Sequence, residues 1–240
     1  WDALSARVVE DAGARALATS SAALAWSAGY ADGEHLPFDE LVRVVRAIAR
    51  VTTAPLSVDF ERGYAGEPAV VADHVARLVE AGASGVNLED GAEPADLLAS
   101  KLAAIRAKLG PAVFLNARTC IVLRGVVQGD DAVPALLARA RVYAEAGADG
   151  FFVPRLSGER DIEAVARGTA LALNLMIVPG LPSPRALQTL GVRRLSAGPG
   201  LGFAAAAHTR AAATALLERG DYQALLGHGL AYPDINAGFA

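Results

Sequence analysis

Residues 79–90 read VEAGASGVNLED, and a similar phrase recurs at residues 144–155 as AEAGADGFFVPR. Each copy runs from the end of an amphipathic stretch, through a glycine and small residues, into a short apolar run. The glycine can adopt the left-handed conformation that ends a helix, and the residues after it match a short loop leading to a strand. Two related phrases, EDAGARALATS at 10–20 and QTLGVRRLSAG at 188–198, indicate that this helix-to-strand unit is repeated along the chain.

Alanine-rich stretches with a helical spacing of apolar residues alternate with the short apolar runs. We predict helices at residues 2–12, 38–50, 68–81, 95–108, 131–146, 159–170, 183–190 and 203–218. We predict strands at residues 16–20, 56–60, 85–89, 113–117, 150–154, 173–178 and 193–197. Several of these strands are apolar at consecutive positions, which is typical of parallel strands covered on both faces.

Such a series fits either an open doubly wound sheet or a closed eight-stranded barrel. The first predicted strand is not followed by a GxGxxG turn, and the length of 240 residues is close to that of a typical barrel. The predicted fold class is therefore α/β, a (β/α)8 TIM barrel in which residues 1–240 form one domain with a C-terminal helical tail. The chain opens on a helix, so we expect the first barrel strand to precede Trp1 or to be missing.

Composition excludes several classes of function. Hydrophobic residues make up 53% of the chain, and 22 Lys and Arg stand against 26 Asp and Glu, for a formal charge of -4. This content can build a large core, and without a basic stripe or an aromatic ladder we expect no nucleic-acid partner. The mean hydropathy is +0.32, but apolar runs such as 171–181 are broken by polar residues, Pro and Gly, so we expect no membrane span. One cysteine and no visible secretory leader predict a cytoplasmic location.

Acidic side chains follow neighbouring predicted strands at their carboxyl ends, where a βα barrel holds its chemistry. Asp59 and Glu61 end one strand, and Glu89 ends the next. Three converging carboxylates repel one another unless a cation neutralises them, and an oxygen-rich site suits Mg2+ or Mn2+. One alternative is that Asp59 caps a helix. Another is that the two glutamates form ion pairs with Arg62 or Arg118.

Groups able to bind an anion follow two other strands. Arg118 ends the strand after Glu89, and its guanidinium could hold a carboxylate or a phosphonate through two hydrogen bonds. A structural ion pair with Glu89 is the alternative. Ser20 and Ser21 precede small residues that can start a helix, so they could bind an anion or simply cap that helix. A metal next to an arginine favours a substrate such as a 2-oxo acid, which has a carboxylate beside a chelating oxygen.

In order along the chain, these motifs resemble those of the isocitrate lyase and phosphoenolpyruvate mutase superfamily. The segments that carry the resemblance are WDALSARVVEDAG, ATSSAALA, GYADGE, VDFERGY, NLEDG, NART, NLMIVPG and RRLSAGPG. The resemblance implies a (β/α)8 barrel enzyme that uses Mg2+ to make or break the bond next to the oxo carbon of a small 2-oxo acid or dicarboxylate, through a metal-stabilised enolate. It also implies a homodimer or homotetramer in which the last helix is exchanged between neighbours.

The resemblance also implies a set of site residues. The expected metal-binding residues are Asp59, Glu61, Glu89 and Asp32. The expected substrate-binding residues are Ser20, Ser21, Ala22, Tyr30, Asp59 and Arg118. The expected catalytic residues are Asp32, Arg118 and Glu61. Apart from the resemblance, Arg155 lies at the end of the strand predicted at 150–154, and from this position we expect it to add a second cationic contact to the far end of a dicarboxylate.

The chain departs from its relatives at two places. After Glu89 it reads GAEPADLLASK, without the cysteine and histidine of the lyases or the asparagine of the mutases, and we expect Lys101 to lie within a helix. Cys120 stands where relatives carry an aspartate, NARTD, and we expect a buried, inert thiol and not a nucleophile. The four histidines, at positions 35, 74, 208 and 228, show no ligand spacing.

These departures leave the reaction open among a C–C lyase, a decarboxylase and a hydrolase, with no general acid or base identified beyond water or Glu61. Phosphonopyruvate P–C bond chemistry is one alternative. A second is a catalytically weak protein that binds a 2-oxo dicarboxylate, such as 2-oxoglutarate or oxaloacetate, without efficient turnover. A third is an unrelated aldolase of the pyruvate-enolate type on the same barrel.

Overall fold

The computed structural model describes residues 1–227 and 229–239, so His228 lies outside the described residues. Its strands are β1 (Leu17–Ala18), β2 (Leu56–Asp59), β3 (Gly85–Glu89), β4 (Phe114–Arg118), β5 (Gly150–Phe152), β6 (Ala172–Met176) and β7 (Arg194–Ser196). Each strand pairs in parallel with the next one along the chain. The seven strands form a nearly closed barrel surrounded by helices, which confirms the predicted (β/α)8 class. Within the described residues, β1 and β7 are the two unpaired edges.

Ten helices accompany the strands in the described part of the chain. They are α1 (Ala3–Asp11), α2 (Ser21–Ser27), α3 (Phe38–Val51), α4 (Pro68–Glu80), α5 (Ala95–Leu109), α6 (Ala132–Glu145), α7 (Glu159–Gly168), α8 (Pro184–Thr189), α9 (Gly200–Arg219) and α10 (Tyr232–Ala237). Each of the predicted helices is present, and α2 and α10 are additional. None of the described helices combines the length and apolar character needed to cross a membrane.

The glycine of the repeated phrase explains why each helix stops where it does. Gly82 follows α4 with a φ of +111°, and Gly147 follows α6 with a φ of +92°. A side chain at Gly82 would also place its Cβ only 2.4 Å from the Cβ of Ala49, so the glycine lets the loop pass close to α3. The chain then enters the next strand within a few residues, as the sequence predicts.

The strands bury one face under the helices and present the other to the barrel interior. Apolar residues such as Val58, Val86 and Leu115 are fully buried in the outer layer. The residues next to them along the strands, including Asn87 and Asn116, are polar and also buried. Burying polar groups is costly unless they are hydrogen-bonded. The polar residues inside the barrel therefore indicate a functional site there.

Candidate active site

A cavity of about 850 Å3 lies inside the barrel and extends between β1 and β7. Six of the predicted site residues line this cavity: Ser20, Ser21, Ala22, Asp32, Asp59 and Arg118. Tyr30 is exposed and lies off the cavity wall. Arg155 lines a different cavity of about 370 Å3, between the loops that follow β4 and β5. Glu61 and Glu89 are also absent from the cavity lining. The structure therefore brings six of the ten predicted site residues to one cavity and leaves four outside its wall.

Asp59 is held at the end of β2 by neighbours on both sides. Its Oδ1 accepts a hydrogen bond from Asn87 Nδ2 at 3.1 Å, and its Oδ2 accepts one from the backbone N–H of Ser21 at 3.3 Å. Its own N–H donates to the Thr19 hydroxyl at 2.8 Å. Ser20 is the N-cap of α2, which is the capping alternative that the sequence offers. Its side chain accepts a hydrogen bond from the Ala23 N–H. These contacts fix the Asp59 carboxylate on the cavity wall.

Glu61 lies just past β2 in a left-handed conformation, with a φ of +49°. Its Oε1 accepts hydrogen bonds from the Glu34 N–H at 3.0 Å and from the Tyr64 hydroxyl at 3.4 Å. Burial raises the pKa of Glu61 to about 7; the Glu34 N–H opposes the rise, and the negative charges of Asp32 and Asp59 add to it. Burial, with the neighbouring carboxylates adding to it, therefore makes Glu61 harder to ionise.

Arg118 and Glu89 form an ion pair on adjacent strands, with Nη1 and Oε2 3.0 Å apart. Both side chains are mostly buried, and the guanidinium lies 5.6 Å from the centre of the Phe152 ring. Burial raises the pKa of Glu89, and the charge of Arg118 opposes that rise. The ion pair that the sequence left as an alternative is present. However, the buried Nε of Arg118 has no hydrogen-bond partner in the described structure, so the guanidinium keeps donor capacity.

A chain of asparagines crosses the barrel interior and reaches Asp59. Asn116 Nδ2 donates to Asn87 Oδ1 at 2.9 Å and to Asn174 Oδ1 at 3.0 Å, and Asn87 in turn donates to Asp59. Asn174 Nδ2 donates to the Leu175 carbonyl at 2.7 Å. Sequence reasoning placed these asparagines on the strands but gave them no role. Their alternation with apolar residues on β3, β4 and β6 was the signal that they face inward.

Residues 1–217 match the sequence model of the phosphoenolpyruvate phosphomutase family, which is nearly the whole chain. The chain belongs to this family. It is 35% identical over 216 residues to the uncharacterised Mycobacterium tuberculosis protein Rv1998c, covering 87% of this chain and 80% of that protein. It is 32% identical over 189 residues to an oxaloacetate decarboxylase of Bradyrhizobium sp. strain BTAi1, covering 73% of this chain and 63% of the relative.

The solved structures agree with this assignment. A Burkholderia cenocepacia J2315 protein, provisionally described as a phosphonomutase, is 40% identical, covers 88% of this chain and 89% of its own, and superposes with a TM-score of 0.83. The protein is therefore an enzyme of the isocitrate lyase and phosphoenolpyruvate mutase type, a superfamily of lyases and mutases. The alternative of an unrelated aldolase on the same barrel is wrong.

In this phosphoenolpyruvate phosphomutase family member, the loop after Glu89 is short. It ends where α5 begins at Ala95, so Lys101 lies within that helix, as predicted. Lys101 Nζ donates to the carbonyls of Arg62 and Ala65 at 2.6 and 3.0 Å. The lysine thus fastens the loop after β2 to α5.

Asp90 fixes the turns that follow β3 and β4. Its fully buried carboxylate accepts from the backbone N–H of Ala92 at 2.8 Å and of Cys120 at 2.9 Å. The Tyr143 hydroxyl and Arg139 Nη1 donate to its other oxygen at 2.7 and 2.6 Å. Because these turns begin immediately after Glu89 and Arg118, Asp90 holds the ion pair in place.

Cys120 is buried, as the sequence predicts, and its thiol hydrogen-bonds to Glu89. Burial raises the pKa of this thiol to about 11, so it is protonated at neutral pH and is a poor nucleophile. We expect Cys120→Ser, which keeps a donor at this position, to change kcat/KM by less than about 3-fold. Steady-state kinetics of both proteins would check this. A loss comparable to that of a removed catalytic group would contradict the assignment.

The carboxylates of this site suit a hard divalent cation in donor type and in charge. Every candidate ligand is an oxygen, and Asp32 and Asp59 add their negative charges to the burial that raises the pKa of Glu61. Across residues 1–227 and 229–239, no three His, Cys, Asp or Glu side chains come close enough to form a metal cage. The two carboxylates that line the cavity, Asp59 and Asp32, fit Mg2+, which commonly takes one or two carboxylates and fills its remaining positions with water and substrate oxygens.

The three described histidines have structural surroundings. His74 stacks on Phe38 with ring centres 4.0 Å apart, and its Nδ1 hydrogen-bonds to the Gly63 carbonyl at 3.2 Å. His35 Nδ1 hydrogen-bonds to the Asp32 carbonyl at 3.0 Å. His208 is exposed on α9.

Proposed function

We propose that this enzyme depends on Mg2+, with Mn2+ as a substitute, and cleaves the bond adjacent to the oxo carbon of a small 2-oxo acid. The reaction would be that of a C–C lyase, a decarboxylase or a hydrolase. The observation that carries the proposal is that Asp59, Asp32 and Arg118 line one cavity, with Glu61 just past β2 and close enough to feel the charges of both aspartates. Acidic side chains that could hold a metal ion therefore lie near Arg118, which could bind the carboxylate of a substrate.

When bound, Mg2+ would supply Lewis-acid polarisation of the oxo group and stabilise the negative charge that develops there during cleavage. In this proposal Asp59 is the residue that holds the cation most directly, because Asn87 and Ser21 fix its two oxygens in place. The expected contributions to the same cation, directly or through water, come from Asp32, Glu61 and Glu89.

Substrate binding falls to residues on either side of Asp59. Arg118 would bind the substrate oxygens, since its Nε retains an unused donor. The segment Ser20, Ser21 and Ala22 would contact the substrate carboxylate from the start of α2. Glu61, or a water that it orients, would transfer the proton, because its oxygen is also held by the Tyr64 hydroxyl.

Two other functions remain candidates because of specific observations. The short loop after Glu89 lacks the acid or base of the better-known relatives, which favours a weak catalyst that binds oxaloacetate or 2-oxoglutarate. The 40% identity to a protein provisionally described as a phosphonomutase favours P–C chemistry on phosphonopyruvate. The oxaloacetate decarboxylase relatives favour the cleavage of a C–C bond.

One experiment separates these candidates. The protein is incubated with oxaloacetate, 2-oxoglutarate or phosphonopyruvate in Mg2+ or in EDTA; products are followed by NMR and binding by thermal shift. Because Mg2+ alone promotes loss of CO2 from oxaloacetate, each reaction is compared with a protein-free blank. Metal-dependent product above the blank supports the proposal and identifies the bond cleaved. Stabilisation without product supports the binding protein, and product formation unaffected by EDTA would exclude the metal-dependent mechanism.

We also propose that the enzyme is a homodimer or homotetramer assembled through α9. Of the 20 residues in this helix, only Ala212 and Ala215 are buried, while Phe203 and Leu217 are exposed by 57% and 83%. Such an apolar surface is typical of an interface, and the family resemblance favours a second copy of the chain as its partner. We expect light scattering to show a dimer or tetramer for the wild type and a smaller species for Leu217→Glu. A monomeric wild type would contradict the proposal.

A further inference from the structure

Arg194, at the start of β7, lines the same cavity as Asp59 and is a second guanidinium in the site. Arg118 is paired with Glu89, whereas the side chain of Arg194 has no hydrogen bond or ion pair in the described part of the chain. Burial lowers the pKa of Arg194, and the negative charge of Asp59 opposes that change. A half-buried guanidinium without a partner is costly, and an anionic ligand would remove that cost.

The two arginines lie three strands apart, Arg118 at the end of β4 and Arg194 at the start of β7. One register line runs across five adjacent strands and consists of Glu89, Arg118, Phe152, Asn174 and Arg194. The last four of these residues all line the cavity. The wall between the arginines is therefore made by the Phe152 ring and the Asn174 amide, with no acidic residue between them on this line. Both guanidinium groups feel the charge of Asp59, so a ligand held beside Asp59 lies within electrostatic reach of both.

Arg155, the residue from which the sequence predicts the second cationic contact, lies elsewhere. Its φ of +68° turns the chain after β5, and its side chain lines the separate cavity together with Gln128 and Asp161. Arg194 is thus the arginine that the structure offers for this role.

We propose that Arg194 binds the second acid group of the substrate, so that the site selects 2-oxo acids with two acid groups over 2-oxo monoacids. This inference rests on the function proposed above for the same cavity. The second acid group is a carboxylate or a phosphonate, since a guanidinium binds either through paired hydrogen bonds. Arg118 binds the oxygens next to the oxo group, and Arg194 binds the opposite end of the ligand.

The test compares ligand binding by Arg194→Gln, Arg194→Lys and the wild type, measured by calorimetry in Mg2+. The ligands are pyruvate with one acid group, difluorooxaloacetate with two carboxylates, and phosphonopyruvate with a carboxylate and a phosphonate. We expect Arg194→Gln to weaken binding of at least one two-acid ligand by about 10- to 100-fold, and of pyruvate by less than about 3-fold. Arg194→Lys should recover part of the loss. Arg46→Gln, on the exposed face of α3, is the matched control and should change nothing.

Each outcome decides the question. Loss confined to difluorooxaloacetate supports the inference and identifies a carboxylate, and loss confined to phosphonopyruvate identifies a phosphonate. An equal loss for all three ligands, or no loss for either two-acid ligand while the variant melts like the wild type, overturns it. Selective loss of binding in a protein that turns over no 2-oxo acid would overturn the proposed function and leave this inference standing. Normal turnover of a diacid by Arg194→Gln would overturn this inference and leave the proposed function standing. A wild type that binds none of the ligands would overturn both.

Discussion

Asp59→Asn is expected to lower metal-dependent turnover of the 2-oxo acid by about 100- to 1000-fold, the range found when one preorganised electrostatic contact is removed from an active site. The substitution keeps the size of the side chain but removes the charge that would hold the cation. It also turns one acceptor of Asp59 into an amide donor, which then faces either Asn87 Nδ2 or the Ser21 N–H. Initial rates measured over a range of Mg2+ concentrations would check the prediction.

A second measurement on Asp59→Asn does not depend on activity. Mg2+ should raise the melting temperature of the wild type, because a ligand that binds only the folded state stabilises it by mass action. In Asp59→Asn this increase should disappear, whatever the melting temperature of the variant without metal. Asp39→Asn, on the surface of α3 in an ion pair with Arg77, is the control and should behave like the wild type. Retained activity with full metal dependence in Asp59→Asn would exclude the role assigned to Asp59.

The strands could be predicted because their signal is local. In each repeat a glycine with positive φ, such as Gly82 or Gly147, ends a helix, and a consecutive apolar run then requires burial on both faces. Helix α2 was indicated only by its possible start after Ser20 and Ser21, because it has seven residues and its sequence does not alternate between a core face and a solvent face. Four of those residues are buried, so tertiary packing stabilises it.

The positions of individual site residues depended on whether they lie inside a strand. Asp59, Glu89 and Arg118 are the last residues of their strands, where alternation still determines which face a side chain takes. Arg155 comes three residues after the end of β5, in a turn where its own φ is positive, so alternation no longer applies to it. Arg194 was hidden for a different reason. Two arginines stand side by side in RRLS, and only the register of β7 against β6 places Arg194 beside Asn174.

Arg118→Met is the second substitution with a large expected effect, and it acts on both stability and turnover. Removing one partner of a buried ion pair leaves the other charge uncompensated, which typically costs about 3–5 kcal/mol. Here Glu89 would be left with 12% of its side chain exposed. Binding of the 2-oxo acid should also be lost, because the substrate carboxylate loses the guanidinium that pairs with it. Urea denaturation and substrate kinetics measure the two effects separately.

The pH dependence of Arg118→Met has a definite sign. Burial already raises the pKa of Glu89, and without Arg118 to oppose it the folded-state pKa should rise further above the unfolded value. A group with a raised folded-state pKa contributes stability below its unfolded pKa, and this contribution is lost as pH rises through the folded-state pKa. The stability gap between Arg118→Met and the wild type should therefore widen as the pH rises from the unfolded pKa of Glu89 through its raised folded-state pKa. A gap that narrows with pH would contradict the buried-pair account.

The double variant Arg118→Met, Glu89→Gln separates the structural role of Arg118 from its role in binding. Removing both charges leaves no buried ion without a partner, so most of the lost stability and most of its pH dependence should return. Turnover should not return, because the guanidinium that would bind the substrate is still absent. The third variant is Arg118→Lys, which keeps the positive charge opposite Glu89 but lacks the planar pair of donors. It should be as stable as the wild type and still bind the 2-oxo acid poorly. If the double variant recovered activity along with stability, Arg118 would be a structural partner of Glu89 and not the residue that binds the substrate.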